Sequence, residues 1–556
     1  MRVRAHAAFC TLAALLAGAG TAALAEVPAA AVPPASVPAP TPTPAAQPAG
    51  LMPPERNLCP TAAGPVALGS AQWNGWGPGL DNTRYQPEPA IRAADVAKLA
   101  LKWSFGYQGG TDFGQPTVVD GRIFVTSSAG RVYSLDAKTG CTYWTYDAAA
   151  GVHSAVTIGE LAPKKIVTLP RKLKRTLAHL DVIKAPSAAY FGGDEGMVYA
   201  VDAQKGTLLW KVQADIHPSA RIVAAPTLYN DRLYVAVATT EDLAAADPKY
   251  PCCTFRGSVS ALDIATGRIV WKSYTVLEDP VPTRKNAAGI QEFGPAGAAV
   301  SSSPSIDAKR QVLYVATGGT GTGLEQSLTD AVVAFDLTDG KLRWVKQLSR
   351  PDASGFGAGF TSSPVLRNLT TGAQILLAGQ RSGIVYGLDP DHGGEILWQS
   401  RISGHTGARD AAGGIAWGAA ADYRNLYVAL SGLLAQPANT SGSLTALDMT
   451  TGAERWHTAA PVPPCAGREH CSHAQAQAVT VMPGIVFSGS MDGHLRAYST
   501  IDGRIRWDFD TAREFQTKNG IKASGGALDR GGATIVNGTV YINSGNALLA
   551  FSVDGK

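Results

Sequence analysis

A short motif recurs along this chain and constrains its fold more than any other feature. Each copy joins an alternating run of β-branched and aromatic residues to a Thr-Gly or Asp-Gly turn and a closing tryptophan, as in VYSLDAKTGCTYW and LTALDMTTGAERW. The closing tryptophans of the seven copies are Trp144, Trp210, Trp271, Trp344, Trp398, Trp456 and Trp507. Such regular repetition is typical of folds that arrange one small unit in a ring or a stack.

Two further strands precede each copy, as in QPTVVDGRIFVTSS. Four antiparallel strands joined by tight turns form one blade of a β-propeller. An eighth unit is divided between the chain ends, with LALKWSFGY near the N-terminus and TIVNGTVYINSGNALLAFSV at the C-terminus. The sequence therefore predicts an all-β, eight-bladed β-propeller of four-stranded antiparallel blades. Pairing of the N- and C-terminal strands closes the ring and leaves no exposed edge.

The repeated tryptophans are interpreted as structural residues. One large ring at the same place in every unit fills the space between blades, where an aromatic side chain buries a large apolar area. We expect the function to be carried by loops and inner strand ends around the central channel.

The N-terminal region predicts export. Residues 1–25 combine Arg2 and Arg4 with an apolar run and small residues, which indicates a signal peptide. Residues 26–66 begin with a Pro- and Ala-rich stretch and are interpreted as a linker, and residues 67–556 as the propeller. No later apolar stretch is long enough to span a membrane. We therefore expect a periplasmic protein without a transmembrane segment.

Cysteine pairing is expected in an oxidising compartment. Six cysteines follow the predicted signal peptide: Cys59, Cys141, Cys252, Cys253, Cys465 and Cys471. A bond between the adjacent Cys252 and Cys253 would close a small strained ring. Cys465 and Cys471 are spaced to close a short loop, which leaves Cys59 and Cys141 for each other. The alternative is that one or two of the six are buried thiols.

Charge indicates no special partner. After the predicted signal peptide the chain has 46 Lys and Arg residues against 44 Asp and Glu residues, so binding to nucleic acid or to an anionic membrane is not indicated. The exception is the basic stretch 163–184, PKKIVTLPRKLKRTLAHLDVIK. It is interpreted as a solvated loop or hairpin, with a docking patch for an acidic partner as the alternative.

The repeats, the opening QWNGWGPGLDNTRYQ, the adjacent cysteines and GSMDGHLRAYSTIDGRIRWDFDT together resemble the PQQ-dependent (quinoprotein) alcohol dehydrogenase family. Within it the polyvinyl alcohol dehydrogenases are most similar, from about Trp73 to Ser552. The resemblance implies pyrroloquinoline quinone (PQQ) and calcium in the propeller funnel. It also implies a periplasmic enzyme that oxidises secondary or polymeric alcohols and passes electrons to a separate cytochrome c.

The resemblance also implies roles for individual residues. Cys252 and Cys253 would form a rigid plate against one face of the quinone. Glu241 matches a calcium ligand, Arg381 matches the basic residue that reaches the quinone oxygens, and Trp417 matches an aromatic residue of the funnel wall. The alternatives are a surface loop glutamate for Glu241, a structural role at a strand start for Arg381, and core packing for Trp417.

Three positions depart from the family pattern. Ser301 stands at a cofactor-binding position where the family has a tryptophan, and Gly319 replaces an asparagine that binds calcium. In the short loop SRPDASGFGAGF, only Asp352 is available as the catalytic carboxylate. The chain has no CxxCH motif, so a fused haem domain is not expected. The departures leave a second hypothesis open, in which the propeller has lost the reaction and serves as a binding or outer-membrane assembly scaffold.

Overall fold

The computed structural model describes residues 57–69, 72–110, 114–161, 186–322, 324, 326–349, 359–402, 414–431, 442–462, 465, 468 and 471–556. The predicted signal peptide, most of the predicted linker, the basic stretch 163–184 and Asp352 lie outside the described residues. Within the described part of the chain, no helix is both long enough and apolar enough to cross a membrane.

Eight antiparallel sheets form the blades, each with four blade strands and that of blade 3 with a short fifth strand in addition, which confirms the predicted fold. The strands of each blade are given from the inner to the outer one. Blade 1 contains Thr117–Val119, Arg122–Thr126, Arg131–Asp136 and Thr142–Asp147, and blade 2 contains Thr157–Glu160, Ser187–Gly192, Met197–Asp202 and Leu208–Gln213. Blade 3 contains Thr227–Tyr229, Arg232–Thr239, Ser258–Asp263 and Ile269–Tyr274, and blade 4 contains Ser305–Asp307, Val312–Ala316, Ala331–Asp336 and Leu342–Gln347. Blade 5 contains Val365–Asn368, Gln374–Gly379, Ile384–Asp389 and Glu395–Arg401, and blade 6 contains Ala420–Ala421, Asn425–Leu430, Ser443–Asp448 and Glu454–Ala459. Blade 7 contains Thr480–Met482, Ile485–Gly489, His494–Ser499 and Ile505–Asp510, and blade 8 contains Thr534–Val536, Thr539–Ser544, Ala547–Val553 and Leu99–Gly106.

A few elements lie outside the blades. Strand Ala220–Arg221 pairs with the end of Arg232–Thr239, and Val281–Lys285 forms a hairpin with Gln291–Gly294. Glu514–Phe515 pairs with Ala523–Ser524. The described helices are the 3-10 helix Ala93–Lys98 and the short α-helix Glu241–Ala244.

Blade 8 combines both ends of the chain, as predicted. Its outer strand Leu99–Gly106 pairs antiparallel with the C-terminal strand, with Leu99 opposite Val553 and Gly106 opposite Ala547. A four-stranded blade is thus completed by residues more than four hundred positions apart, and the first and last units join without a free edge.

The repeated tryptophans lie between blades, which confirms their structural interpretation. The indole N–H of Trp398 in blade 5 donates to the carbonyl of Met449 in blade 6 at 2.9 Å. A Cβ added at Gly452, in the Thr-Gly turn of blade 6, would lie 2.4 Å from the ring of Trp398. Indole N–H groups donate to the following blade in the same way from Trp144, Trp210, Trp271, Trp456 and Trp507.

Residues 73–86, here called the axial segment, run along the inner strands around the propeller axis. Its backbone hydrogen-bonds to blades 1, 4, 5, 6 and 7, through Val118, Ile306, Leu366, Ala421 and Val481. The side chain of Asn74 bonds to Ile158 in blade 2, and that of Gln86 bonds to Ile535 in blade 8. The axial segment therefore connects all blades except the third by hydrogen bonds between described residues.

All six cysteines downstream of the predicted signal peptide are paired, which removes the buried-thiol alternative. The disulfides join Cys59 to Cys141, Cys252 to Cys253, and Cys465 to Cys471. Residues 57–66, at the end of the predicted linker, contact blades 1 and 2. Val66 is 5% exposed in the core between these blades, and its carbonyl accepts a hydrogen bond from Ser187 at 2.9 Å.

Candidate functional site

A cavity of about 150 Å³, here called the main cavity, is bordered by loops of blades 3, 4 and 5. Glu241 begins the short helix after the second strand of blade 3, and Arg381 follows the second strand of blade 5. Ser301 precedes the inner strand of blade 4, and Gly319 follows its second strand. The structure brings Glu241, Cys253, Ser301, Gly319 and Arg381 to this single cavity.

The Cys252–Cys253 disulfide forms part of the cavity wall and is fixed by backbone contacts. Cys253 is 2% exposed, and its N–H donates to the carbonyl of Phe293 at 3.2 Å. The N–H of Phe293 donates in return to the carbonyl of Cys252 at 2.8 Å. A Cβ added at Gly321 would lie 3.4 Å from the Sγ atom of Cys253, so a glycine lets the loop lie directly against the disulfide.

The Glu241 carboxylate binds the chain around the disulfide. Its Oε1 accepts hydrogen bonds from the backbone N–H of Thr254 at 2.7 Å and from the Tyr250 hydroxyl at 3.1 Å. Its Oε2 accepts one from the backbone N–H of Phe255 at 2.8 Å. Glu241 is 2% exposed. This carboxylate thus holds residues on both sides of Cys252 and Cys253, a role that its position in the sequence does not reveal.

Arg381 supplies positive charge to the main cavity. Its guanidinium makes no hydrogen bond or ion pair with the side chains and backbone of the described residues. Burial lowers the pKa of Arg381, and the negative charge of Asp242 partly offsets this effect. Because arginine remains protonated in proteins, the cavity presents a cation that lacks a fixed anionic partner among these residues.

A second, smaller cavity of about 20 Å³, here called the axial cavity, borders the axial segment. Trp417 lines this cavity and not the main one, together with Trp76, His153 and Arg530. Ser301 lines both cavities, so the two adjoin at this residue. The guanidinium of Arg530 lies 5.5 Å from the ring centroid of Trp417.

Beside the axial cavity lies a cluster of His153, Asp194 and Arg221. The Nε2 atom of His153 is 3.0 Å from Oδ1 of Asp194, which also binds the Arg221 guanidinium. Burial raises the pKa of Asp194, but the hydrogen bonds and charges of these two partners hold it below its ordinary value. Asp194 is thus a carboxylate that stays ionised behind a histidine of the cavity wall.

The donor atoms suit a hard cation only if other ligands complete its shell. The described residues contain no group of three or more His, Cys, Asp or Glu side chains arranged to share a metal ion. Glu241 and Asp242 both line the main cavity, and Gly319 adds no side-chain oxygen. Two carboxylates fit calcium, which takes oxygen ligands, with the remaining positions left to backbone carbonyls, water or a bound ligand.

Sequence reasoning missed three features of these cavities. Asp242 directly follows Glu241, and an adjacent acidic pair was an available signal. Trp76 lies in the quoted QWNGWGPGLDNTRYQ stretch, but no periodicity assigned it to the axis. His153 is an isolated histidine in its loop, and only the fold places it beside Asp194.

Comparison with known proteins gives consistent matches. Residues 73–401 match the family described as glucose/ethanol/alcohol dehydrogenase, beta-propeller domain, with the label PQQ, and residues 381–556 match outer membrane protein assembly factor BamB. Polyvinylalcohol dehydrogenase of Pseudomonas sp. is 39% identical over 543 residues, covering 92% of this chain and 81% of that protein. Polyvinylalcohol dehydrogenase of Sphingopyxis sp. is 36% identical, covering 90% and 79%. The crystal structure of quinohemoprotein alcohol dehydrogenase from Comamonas testosteroni shares the fold, with a TM-score of 0.62, 18% identity and coverage of 87% and 81%.

Proposed function

The chain belongs to the PQQ-dependent (quinoprotein) alcohol dehydrogenase family, and from this premise we propose that it oxidises secondary or polymeric alcohols with PQQ bound in the main cavity. Polymeric substrates are supported by the relatives named polyvinylalcohol dehydrogenase, which are 39% and 36% identical. The family resemblance further supports a periplasmic location and a separate cytochrome c as electron acceptor. On this proposal, residues 1–25 direct export and residues 26–66 precede the propeller.

The observation that carries the proposal is the charge and shape of the main cavity. PQQ is a flat, conjugated ring system with carboxylates and quinone carbonyls. The guanidinium of Arg381 offers a cation to these oxygens, and the Cys252–Cys253 disulfide, of which Cys253 is buried and lines the cavity, offers a stiff wall to the ring. Gly318, Gly319 and Gly321 line the cavity without adding side chains to it, and Thr320 is the one residue of this stretch that carries one. The residues present therefore fit a flat anionic cofactor.

When bound, PQQ supplies the acceptor for the hydride that leaves the alcohol carbon. Arg381 would stabilise negative charge that develops on an oxygen close to it. The disulfide wall and the loop against it would exclude water from one side of the reacting groups. Asp352 is the proposed acceptor of the hydroxyl proton, because a carboxylate can take this proton as the hydride leaves.

We further propose calcium as the metal of this site, with Glu241 and Asp242 as its protein ligands. A carboxylate has about four lone-pair positions, and among the described residues Oε2 of Glu241 accepts a single hydrogen bond. Since few ligands come from side chains, binding of calcium should depend on the cofactor's own oxygens. Calcium affinity without PQQ is then expected to be low.

A titration of the purified protein with PQQ, in excess calcium, tests the proposal. We expect PQQ to bind and a secondary alcohol or polyvinyl alcohol to reduce an artificial dye. Arg381→Ala should weaken PQQ binding roughly tenfold to hundredfold, because a charge-assisted hydrogen bond contributes about 1.5–3 kcal/mol. Arg268→Ala, which removes an exposed cation from a turn of blade 3, is the control and should change neither PQQ binding nor dye reduction.

The same titration addresses the scaffold hypothesis. If calorimetry detects no PQQ binding to the folded protein at any calcium concentration, the dehydrogenase proposal fails. The match of residues 381–556 to an assembly-factor family would then direct the search toward protein partners.

A further inference from the structure

A residue with a small side chain lies where the two cavities adjoin. Ser301 lines both the main cavity and the axial cavity, and its side chain is only a hydroxymethyl group. A flat ligand against the disulfide wall would therefore not meet a ring at this boundary. Two tryptophans, Trp76 and Trp417, line the axial cavity beyond Ser301, and Phe360 is the aromatic residue that lines the main cavity with it.

Arg84 and the backbone at Gly418 pack closely against the ring of Trp76. The guanidinium of Arg84 lies over its ring, 4.5 Å from the centroid, and Nη1 of Arg84 donates to the carbonyl of Trp76 at 2.6 Å. A Cβ added at Gly418 would lie 3.0 Å from Cζ2 of Trp76. The indole is thus confined by a cation on one face and by backbone at its edge, and its position is fixed without any ligand.

Arg84 is itself fixed by the fold. It is fully buried, and it also donates to the carbonyl of Val479 at 2.6 Å and to the Thr480 hydroxyl at 3.0 Å. Burial lowers the pKa of Arg84 to about 9, so the group remains a cation at neutral pH. A rigid cation covers one face of the indole, while the rest of the half-buried ring borders the axial cavity.

The indole N–H of Trp76 is a second indication. Its Nε1 atom is buried and has no hydrogen-bond partner among the described residues. Six of the seven repeated tryptophans instead donate this hydrogen to the following blade. The indole N–H of Trp76 thus does not join one blade to the next, as those six do.

We propose that Trp76 contacts the cofactor, with its indole as the aromatic floor that the axial segment supplies beneath Ser301. This inference rests on the proposed function, because it takes PQQ as the ligand of the main cavity. The axial segment would then have two roles, since it joins the inner strands of the blades and presents a ring to the cofactor. Trp417 flanks this floor from blade 6.

Binding of PQQ to variants of the full chain tests the inference. Trp76→Ala should weaken PQQ binding at least about fivefold, because a stacked ring contributes beyond its buried area. Trp76→Phe should restore most of the affinity but reduce the quenching of intrinsic fluorescence by PQQ. Ser301→Trp, added to Trp76→Ala, should also recover affinity by placing a ring at the boundary. Trp344→Phe is the control, because Trp344 packs between blades 4 and 5 and lies outside both cavities.

A measurement on the unmodified protein decides the matter even if Trp76→Ala does not fold. Tryptophan oxidation is mapped by peptide mass spectrometry with and without saturating PQQ. Protection of Trp76, with unchanged oxidation of Trp344, is the expected result. If PQQ binds and leaves Trp76 unprotected, or if folded Trp76→Ala binds PQQ with unchanged affinity, the inference is wrong. Absence of PQQ binding to the unmodified protein would instead overturn the proposed function.

Discussion

Glu241 is both a wall residue of the main cavity and an acceptor for the chain around the disulfide. Its carboxylate accepts hydrogen bonds from two successive backbone N–H groups, at 2.7 Å and 2.8 Å. Such bonds require an acceptor on both oxygens, which a carboxylate offers and an amide does not. At the scale of the residue, one side chain therefore links the proposed calcium site to the position of the Cys252–Cys253 wall.

Glu241→Gln separates these contributions. The amide would turn an NH₂ group toward the N–H of Thr254 or Phe255, so one buried donor loses its acceptor. We expect the free energy of unfolding to fall by about 1–3 kcal/mol. PQQ binding should also weaken, and added calcium should not restore it. Denaturant unfolding and PQQ titration measure the two effects.

Glu278→Gln is the matched control, because Glu278 is exposed and lies outside the main cavity. It should leave both quantities unchanged. Unchanged stability of Glu241→Gln would show that the carboxylate does not hold the chain around the disulfide. A loss of stability with normal PQQ binding would contradict its proposed role as a calcium ligand.

The repeating element of the propeller is a contact between a tryptophan and the turn of the next blade. Gly140, Gly206, Gly267, Gly340, Gly452 and Gly503 all have positive φ angles between 67° and 74°. A Cβ at each of them would lie within 3.0 Å of a tryptophan ring atom of the preceding blade. The glycine in the motif thus serves the turn and also the packing between blades.

Gly452→Ala tests the packing part of this contact. Its Cβ would lie 2.4 Å from Cε3 of Trp398, so the ring or the turn must move. Gly121→Ala is the control, because Gly121 has nearly the same φ, +71° against +72°, but has no atom within 4 Å of the added Cβ. Both variants carry the cost of the left-handed backbone. We expect Gly452→Ala to be less stable than Gly121→Ala by about 1–3 kcal/mol, the usual effect of overpacking. Equal unfolding free energies would show that the ring adapts without cost.

At the same scale, the sequence was sufficient to predict the blades but not the axial segment. Blade strands, turns and tryptophans repeat, so local sequence patterns are enough to locate them. The divided eighth blade could be predicted because the N-terminal part supplies one strand with its tryptophan and the C-terminal part supplies the other three strands. Residues 73–86 have no repeat, because their hydrogen bonds go to different blades in turn; the side chain of Gln86, for example, bonds to Ile535 of blade 8. The role of Trp76 depends on those distant contacts. Likewise, a glutamate in a loop gave no sign that its carboxylate binds Thr254 and Phe255.

At the scale of the whole molecule, the N-terminal region from Cys59 to Gly106 attaches to the ring in three ways. The disulfide between Cys59 and Cys141 holds it to blade 1, the axial segment follows the inner strands, and Leu99–Gly106 completes blade 8. Blade 1 and blade 8 are neighbours in the closed ring. The region therefore holds the first blade, the centre and the last blade together, and its contacts join residues far apart in the sequence.

The Cys59–Cys141 and Cys252–Cys253 disulfides are expected to act on different properties. Cys59 and Cys141 are 82 residues apart, so their bond restricts the unfolded chain strongly. Chain-entropy estimates for a loop of this size reach about 4–5 kcal/mol, and measured effects are typically about 2–4 kcal/mol. Cys252 and Cys253 are adjacent and enclose almost no chain, so their bond adds little in this way.

Two double variants, compared in urea unfolding and PQQ titration, test this division. Cys59→Ala with Cys141→Ala should lower the unfolding free energy by about 2–4 kcal/mol and leave PQQ affinity unchanged, because neither residue borders the main or the axial cavity. Cys252→Ala with Cys253→Ala should weaken PQQ binding and change stability much less, because it removes the wall of the main cavity and closes no long loop. The division would be wrong if loss of the Cys59–Cys141 bond weakened PQQ binding as strongly as loss of the Cys252–Cys253 bond. The attachment of the N-terminal residues to blade 1 would then influence the main cavity, through the axial segment. A folded Cys252→Ala and Cys253→Ala variant with unchanged PQQ affinity would remove the disulfide from the proposed cofactor site.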